Sequence, residues 1–321
     1  MRIFADADYP FLSWRRKGYI ASAIMLTVGL VGIVANIATY GSWLNYGVDF
    51  SGGTLVQVDF TEPVQVEEVR AVDPSWQITR FGEADEYGYI VRVPIFEEDL
   101  GADPTAGVEP ALAAEFGENA FQVARTEGVG PRVGAELQQR ALFAILISFV
   151  LTLAYLAVRF EWRFGVASIV ATAHDVVIAL GFLAALRMEI SIATIAAFLT
   201  IVGYSLNDTI VVFDRVRENV AKRKRGQTLA QLIDRSVNET LPRTVLTSGT
   251  TLSTLLALYL FGGAVIRDFA LVLILGITIG TFSSIFVASP ALAAIEAKWP
   301  RQAKKSSRGS ASARRREAAR V

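Results

Sequence analysis

Two carboxylates lie within long apolar stretches of the sequence and have the clearest potential for chemistry. Asp175 lies at the midpoint of the third apolar stretch, in AHDVVIALGF, and Asp208 lies in GYSLNDT at 203–209, within the fourth. An ionisable side chain at membrane depth costs about 2.5–3.5 kcal/mol on insertion scales and seldom persists without a partner or a purpose. Because no packing requirement explains a carboxylate in hydrocarbon, we expect Asp208 to be functional.

A cation and two polar residues accompany Asp208. Asn207 and Thr209 flank it directly, and Arg243 begins the next apolar stretch. A nearby guanidinium favours the ionised form of a carboxylate, so movement of Arg243 toward or away from Asp208 would release or bind a proton. The sequence therefore predicts a proton-relay site at these residues.

The apolar stretch that follows Arg243 is unusually rich in hydroxyl groups, with TVLTSGTTLST at 244–254. Several of these residues are three or four apart and share one face of a helix. They could hold ordered water that passes protons, or their small side chains could serve close helix packing. We favour packing for the group as a whole and assign only Thr247 to the predicted relay.

Asp175 follows His174, the only histidine of the chain, and the two residues form a candidate second polar site. Successive side chains on a helix point about 100° apart, so we expect no direct pairing between them. Asp175 is expected to face the interior of the helix bundle. Its role there is either that of a second polar member of the relay or that of a structural hydrogen-bonding group.

Metal and nucleotide chemistry find no support in the composition. The chain has no Cys and one His, which excludes disulfides, thiolate chemistry and multi-histidine metal sites. The segment GVDFSGGT at 47–54 lacks the Gly-Lys-Ser/Thr ending of a phosphate loop. We predict a tight turn at Gly47, Asp49, Gly52 and Gly53, and we expect no cofactor.

The elements that position these residues are membrane spans. A hydrophobic content of 52% and a mean hydropathy of +0.41 are typical of a membrane protein. Six apolar stretches are each long enough to cross about 30 Å of hydrocarbon. They lie at 19–40, 140–158, 164–186, 190–213, 244–263 and 269–295. The first is too long for the apolar core of a cleaved signal peptide, and we interpret it as a retained anchor.

The distribution of Lys and Arg predicts the orientation of the chain. The connection 214–243 carries eight such residues and the part of the tail 296–321 after Ala297 carries nine, whereas the two turns expected on the other side carry one each. The N-terminus (1–18), this loop and the tail are therefore predicted to be cytoplasmic. The region 41–139 is predicted to lie outside the cytoplasm.

The basic segments are interpreted as contacts with anionic lipid. The KRKR run at 222–225 could bind a nucleic acid or a protein partner, but retention beside lipid headgroups is the simpler interpretation. The tail 296–321 is rich in Ser, Ala and Arg without apolar periodicity, which predicts disorder. We expect contacts with membrane lipids and none with nucleic acid.

The outer region is acidic, with 17 Asp or Glu against 5 Lys or Arg between residues 41 and 135. Alternating apolar residues predict strands at 54–60, 76–81, 89–96 and 120–126. Apolar residues three or four apart predict helices at 66–72 and 108–116. The order strand, helix, strand, strand, helix, strand is typical of a small ferredoxin-like α+β domain with its helices on one face of an antiparallel sheet.

Several long motifs occur in order along the chain: GVDFSGGT, RFEWRFG at 159–165 leading into AHDVVIALGF, GYSLNDTIVVFDRVREN at 203–219 and LPRTVLTSGTTLSTLL at 241–256. Together they resemble the SecF members of the SecD/SecF family, which is related to the RND superfamily. The match covers nearly the whole chain. It implies a polytopic α-helical protein of the bacterial inner (cytoplasmic) membrane, in which six spanning helices form half of an RND-type bundle.

The resemblance also implies a function without enzymatic activity. Such a subunit works with SecD and the SecYEG channel, with YajC as a companion, and uses the proton motive force to pull or release exported unfolded polypeptide. In the family the membrane aspartate and the arginine that opens the next span are the proton-linked groups. They correspond to Asp208 and Arg243 of this sequence. Coupling to sodium instead of protons stays open.

Two other functions are also open from the sequence. An intramembrane aspartyl protease would need Asp175 and Asp208 to share a proton. The Gly-x-Gly-Asp context of that class is absent, and Arg243 would hold the carboxylate ionised. A passive scaffold that only bridges SecD to the channel would require no titrating group.

Overall fold

The computed structural model describes residues 4, 7–74, 76–81, 87–93, 107–262 and 264–300. The elements in chain order are α1 (Arg15–Tyr40), β1 (Asn45–Tyr46), α2 (Val48–Ser51), β2 (Gly53–Phe60), α3 (Val66–Val72), β3 (Gln77–Phe81), β4 (Gly88–Val93), α4 (Val108–Phe116), β5 (Phe121–Val129), α5 (Pro131–Arg159), α6 (Trp162–Ala185), β6 (Glu189–Ile190), α7 (Ile192–Ala221), α8 (Leu229–Phe261), α9 (Ala264–Ser283) and α10 (Ser289–Lys298).

Within these described ranges, six helices are long and apolar enough to cross a membrane. They are α1, α5, α6, α7, α8 and the continuous pair α9 and α10. The six spans predicted from hydropathy are confirmed. The last span is interrupted by a π-helical turn at Ser284–Ala288, a local widening of the helix that often marks functional positions.

The basic connection predicted at 214–243 is mostly helical. The helix α7 continues to Ala221 and α8 begins at Leu229, so only residues 222–228 connect them. Hydropathy ends a span at its last apolar residue, whereas a helix can continue into water when its polar side chains interact with one another.

Ion pairs stabilise these polar extensions of α7 and α8. Glu218 accepts from Arg215 at 2.6 Å and from Lys222 at 2.5 Å. On α8, Arg235 contacts Glu239 at 2.8 Å, and Arg215 joins the two helices through the same carboxylate at 2.6 Å. Neighbours three or four residues apart on a helix favour the helical state when their charges are opposite.

The interior of the membrane part is formed by α6, α7 and the last span. Half of the most apolar window of α6 and of α7 is buried, against 6% for α5. Small residues allow close packing: a Cβ added to Gly280 on α9 would lie 3.1 Å from the Ser205 side chain on α7. A Cβ added to Gly29 on α1 would lie 2.6 Å from the Cα of Gly181 on α6.

The outer domain is a four-stranded sheet with the order β3-β4-β2-β5, in which every neighbouring pair is antiparallel. Its core includes Val58 and Val91 from the sheet with Val69 of α3 and Leu112 of α4. This arrangement confirms the predicted ferredoxin-like domain. The third strand was predicted to reach residue 96, but residues 94–106 lie outside the described part of the chain. Residues 301–321, most of the tail for which disorder was predicted, also lie outside it.

Two contacts join the outer domain to the membrane helices. Residues 45–46 form a short parallel ladder with residues 189–190, which connect α6 to α7. Arg92 on β4 forms an ion pair with Glu189 in that same connection. The sheet is thereby held against the turn that leads into α7.

Candidate functional site around Asp208

Asp208 lies where α7 meets α8 and α9. Its side chain is buried, with 3% of the residue surface exposed. The Ser248 hydroxyl of α8 lies 3.4 Å from Asp208 Oδ2, in position to donate to it. The same hydroxyl contacts Thr281 of α9 at 2.8 Å and Tyr204 of α7 at 3.4 Å. The carboxylate is therefore surrounded by neutral hydroxyl groups from three helices.

Arg243 is not in contact with this carboxylate. It is exposed on α8, and among the described side chains no ion pair within 4.0 Å joins it to Asp208. Its positive charge still acts on Asp208 electrostatically. The predicted pair is therefore separated in this conformation, and Ser248 and Thr281 occupy the positions closest to the carboxylate.

The other members of the predicted relay lie elsewhere. Thr247 donates to the Arg243 and Thr244 carbonyl oxygens of its own helix, at 3.0 and 3.1 Å. Asn207 is exposed and Thr209 is buried. The hydrogen bonds found in the described ranges join none of the three to Asp208. Hydroxyl groups of a helix often bond the preceding turn in this way, which leaves them without a free proton to relay.

Sequence reasoning missed Thr281 and Tyr204. Tyr204 precedes Asp208 by four residues and lies on the same face of the helix, so the GYSLNDT motif alone could have predicted that the two are neighbours. The position of Thr281 could not be predicted from the sequence, because its contact with Ser248 depends on how α8 and α9 pack.

Asp175 forms a second buried polar cluster, in which 1% of the residue is exposed. Its Oδ2 accepts hydrogen bonds from Ser205 of α7 at 2.5 Å and from Ser283 of α9 at 2.6 Å. Its Oδ1 lies 2.8 Å from Nδ1 of His174. The expectation that His174 and Asp175 would not pair was wrong, because the angle between successive Cα–Cβ bonds does not prevent the ends of the two side chains from meeting.

The two carboxylates belong to separate clusters. Ser205 precedes Asp208 by three residues, about 4.5 Å along the helix axis, yet it donates to Asp175. In the part of the chain that is described, no hydrogen bond joins Asp175 to Asp208. The shared proton that an aspartyl protease requires is therefore not supported by the geometry.

The glycine-rich segment forms the predicted turn between α2 and β2. Gly52 and Gly53 have positive φ angles of 71° and 129°, which favour glycine. A Cβ on Gly53 would lie 2.8 Å from the carbonyl oxygen of Val93. Gly47 directly precedes α2, and a Cβ there would clash with the Glu189 side chain, which would have to move.

Asp49 has a role that the sequence did not reveal. Its Oδ2 accepts a hydrogen bond from the backbone N–H of Ile192 at 2.9 Å. Ile192 is the first residue of α7, so the carboxylate satisfies one of the free N–H groups at the start of the helix that carries Asp208. The two residues are 143 positions apart, and no local pattern predicts such a contact.

Comparison with known proteins shows to which family the chain belongs. The family of protein export membrane proteins SecD/SecF, C-terminal, matches residues 110–298, and the SecD/SecF GG motif matches residues 37–64. The chain belongs to the SecD/SecF family. The GG motif includes the glycine-rich turn, and the C-terminal match includes both carboxylate clusters.

Within the SecD/SecF family the chain is similar to the SecF translocase subunits. It is 45% identical to protein translocase subunit SecF of Gemmatimonas aurantiaca, over 94% of this chain and 91% of that protein. It is 42% identical to the same subunit of Vibrio alginolyticus, over 89% of each chain. A SecF translocase subunit is a transport protein and not an enzyme, so the protease alternative is wrong.

The solved structure of SecDF, a translocon-associated membrane protein from Thermus thermophilus, has the same fold. It superposes with a TM-score of 0.78 and 38% identity over 92% of this chain. The super-membrane-facing form of SecDF gives a TM-score of 0.64 at the same identity. The SecD/SecF family chain described here spans 40% of the length of the first SecDF chain and 39% of the second.

Proposed function

We propose that this subunit uses the proton motive force, together with SecD, to drive or complete the export of unfolded polypeptides through SecYEG. The observation that carries the proposal is the buried carboxylate of Asp208, surrounded by neutral hydroxyl groups and separated from Arg243. A proton that crosses 100 mV releases about 2.3 kcal/mol, and a carboxylate within the membrane can bind and release that proton.

Arg243 can act as the charge that decides whether Asp208 holds its proton. Approach of the guanidinium would favour the ionised carboxylate and release the proton, and withdrawal would favour uptake. Pro242 lies within α8 directly before Arg243. Because proline lacks the N–H that would continue the helical hydrogen bonds, α8 is weakened at this position and can bend there.

The path from Asp208 to the outer domain runs along α7. Asp49 binds the first residue of that helix, Ile192, and Glu189, which pairs with Arg92, lies three residues before it. A shift of α7 along its axis would therefore move the turn on which the sheet rests. We propose that this movement acts on the exported polypeptide at the outer domain.

SecD is the proposed partner for the exposed side of the bundle. The SecDF chain to which this protein is similar is more than twice as long, and here only 17% of the most apolar window of α1 and of α8 is buried. A second set of six helices would cover such apolar faces. SecYEG and YajC are the further partners that we propose from the family.

The proposed location is the bacterial inner membrane, which the chain crosses several times. Both termini and the basic connection 222–228 are proposed to be cytoplasmic, with 41–139 on the other side, since Lys and Arg are retained on the cytoplasmic side.

Export into inverted membrane vesicles tests this proposal. Asp208→Asn removes the titrating group at nearly constant volume, so folding should be retained while stimulation of export by the proton gradient is lost. Ser253→Ala, which removes an exposed hydroxyl of α8, is the matched control and should behave as wild type. Normal gradient-dependent export by the Asp208 variant would instead support a passive scaffold, and replacing the proton gradient with a sodium gradient identifies the ion.

A further inference from the structure

The His174 and Asp175 pair is a second buried proton-binding group that the proposed function does not use. We infer that it exchanges protons with Asp208 through Ser205 and forms the part of the proton path between Asp208 and the membrane side that carries the outer domain. The inference rests on the proposed function, since it extends the path that leads to Asp208.

The geometry of the pair fits proton exchange. Only 10% of the His174 side chain and 1% of Asp175 are exposed, and Nδ1 lies 2.8 Å from the carboxylate. A carboxylate that holds Nδ1–H fixes the tautomer and leaves Nε2 as the proton acceptor. Nε2 of His174 is buried and has no hydrogen-bond partner among the described residues. A buried nitrogen without a hydrogen-bond partner is destabilising, and a role in proton uptake accounts for its presence here.

The two clusters lie at different depths along α7, so a proton that crosses the bundle would reach one before the other. Ser205 contacts Asp175 and precedes Asp208 by one turn of α7, a rise of about 4.5 Å. The helix α7 begins at Ile192, beside the outer domain, so Ser205 and its partner lie nearer that end of the bundle than Asp208. Ser205 therefore contacts one carboxylate and lies three residues from the other on the same helix, and we assign it as the intermediate group.

The transfer balances without another reactant. A proton taken up by His174 Nε2 forms an imidazolium, which passes its Nδ1 proton to Asp175 and becomes neutral again. Rotation of the carboxyl group presents that proton to the Ser205 oxygen, and the serine gives its own hydroxyl proton toward ionised Asp208. One proton has then entered at Nε2 and another has reached Asp208, and Asp175 and Ser205 have returned to their initial protonation. His174 is neutral but now holds its proton on Nε2, so a flip of the imidazole ring, which exchanges the positions of the two nitrogens, completes the cycle.

Few other titratable groups face the pair. In the described ranges, α7 contributes Asp208 and Tyr204, while the nearby polar groups of the last span are the hydroxyls of Thr281, Ser283 and Ser284. The other charged residues of α6 and of the helices packed against it lie toward helix ends: Arg15, Arg16, Lys17, Glu136, Arg140, Arg159, Arg163, Asp214, Arg215, Arg217, Glu218, Arg267, Asp268, Glu296 and Lys298.

Carbodiimide labelling of the protein assembled with SecD in vesicles tests the inference, because the reagent attacks only the protonated carboxyl group. The fraction of Asp208 labelled is measured by mass spectrometry as a function of pH. Asp175→Asn should move the midpoint of the Asp208 labelling curve by about 1 pH unit, as expected when two titrating groups interact. Thr200→Ala, which removes an exposed hydroxyl of α7, should leave it unchanged.

Two further variants keep both carboxylates and address the transfer itself. His174→Gln and Ser205→Ala should reduce gradient-driven proton uptake to the level of Asp208→Asn, and they keep the inference testable if Asp175→Asn does not assemble. An unchanged Asp208 midpoint in Asp175→Asn, or wild-type uptake in both His174→Gln and Ser205→Ala, overturns the inference. If Asp208→Asn alone abolishes uptake, the proposed function stands while this extension of it fails.

Discussion

Asp49 and the backbone of Ile192 are joined by a 2.9 Å hydrogen bond that connects the glycine-rich turn to the start of the helix carrying Asp208. Through this bond, a segment distant in the chain supplements the local Ser191–Thr194 cap at the start of α7. The family's GG motif is thus a structural support for the membrane site as well as a turn into a strand.

Removing the Asp49 carboxylate should destabilise the beginning of α7. We expect Asp49→Ala to lower the free energy of unfolding by about 1 kcal/mol, the usual cost of losing a side-chain cap. Asp49→Asn retains an acceptor oxygen and should lose less. Asp59→Ala, at an exposed position of β2, is the control. Thermal unfolding in detergent measures the effect, and equal transitions for the Asp49→Ala and Asp59→Ala variants would contradict it.

The ion pair between Arg92 and Glu189 should hold the outer domain against the membrane helices. Their side chains are 13% and 20% exposed, and burial lowers the pKa of Arg92 while the charge of Asp268 opposes that shift. Glu189→Gln leaves the guanidinium without its contacting carboxylate, and an unpaired buried charge is strongly destabilising. We expect faster hydrogen exchange in β4 and in the 186–191 turn.

An exposed ion pair provides the comparison for that experiment. Glu136 and Arg140 contact each other on α5 with 57% and 72% of their side chains exposed. Exposed pairs contribute about 0–1 kcal/mol, so Glu136→Gln should leave the exchange of the same peptides unchanged. Identical exchange in the Glu189 and Glu136 variants would show that the ion pair does not fasten the domain.

Gly41 and Gly53 both have a positive φ angle, and substitution by alanine should destabilise the protein more at Gly53 than at Gly41. A Cβ at Gly53 would lie 2.8 Å from the Val93 carbonyl oxygen, whereas nothing lies within 4 Å of one at Gly41. Gly41→Ala should cost about 1 kcal/mol for the left-handed backbone alone, and Gly53→Ala should cost more because it also disturbs the pairing of β2 with β4. Unfolding of the outer domain followed by tryptophan fluorescence compares the two variants, and equal losses would argue against this packing.

Arg243 should matter for coupling and not for stability. It is exposed and lacks an ion pair with Asp208 in this conformation, so Arg243→Gln should change the free energy of unfolding by less than about 0.5 kcal/mol. Gradient-dependent export should nevertheless be lost, because no cation remains to favour proton release. Arg243→Lys keeps the charge and should retain part of the activity. A large loss of stability in Arg243→Gln would show that the residue is structural.

The sequence predicted those features that depend on local pattern or on the cost of burial. Six apolar runs indicated six spans, and the alternation around Val58 and Val91 indicated the sheet. The cost of a carboxylate in hydrocarbon singled out Asp208, which is buried in the structure, and its functional role stays a prediction. The helices α7 and α8 extend beyond the apolar stretches predicted at 190–213 and 244–263, because ion pairs such as Arg235 with Glu239 stabilise helix outside the apolar residues.

Contacts between distant elements were beyond sequence reasoning. Ser283 and Ser205 donate to the same carboxylate oxygen of Asp175 only because α9 and α7 pack closely against α6. The contact of Asp49 with Ile192 likewise joins segments that are 143 positions apart in the chain. The pairing of His174 with Asp175 was missed because helix geometry alone describes where side chains start and not where their ends meet.

Proton uptake by vesicles that contain this protein together with SecD tests the central claim most directly. An imposed membrane potential should drive acidification of the lumen, reported by a trapped pH-sensitive dye, in wild type and in the Ser253→Ala control. In Asp208→Asn the acidification should fall to that of vesicles without the protein. Wild-type acidification in the Asp208→Asn vesicles, at equal protein content, would contradict the assignment of Asp208 as the group that binds the transported proton.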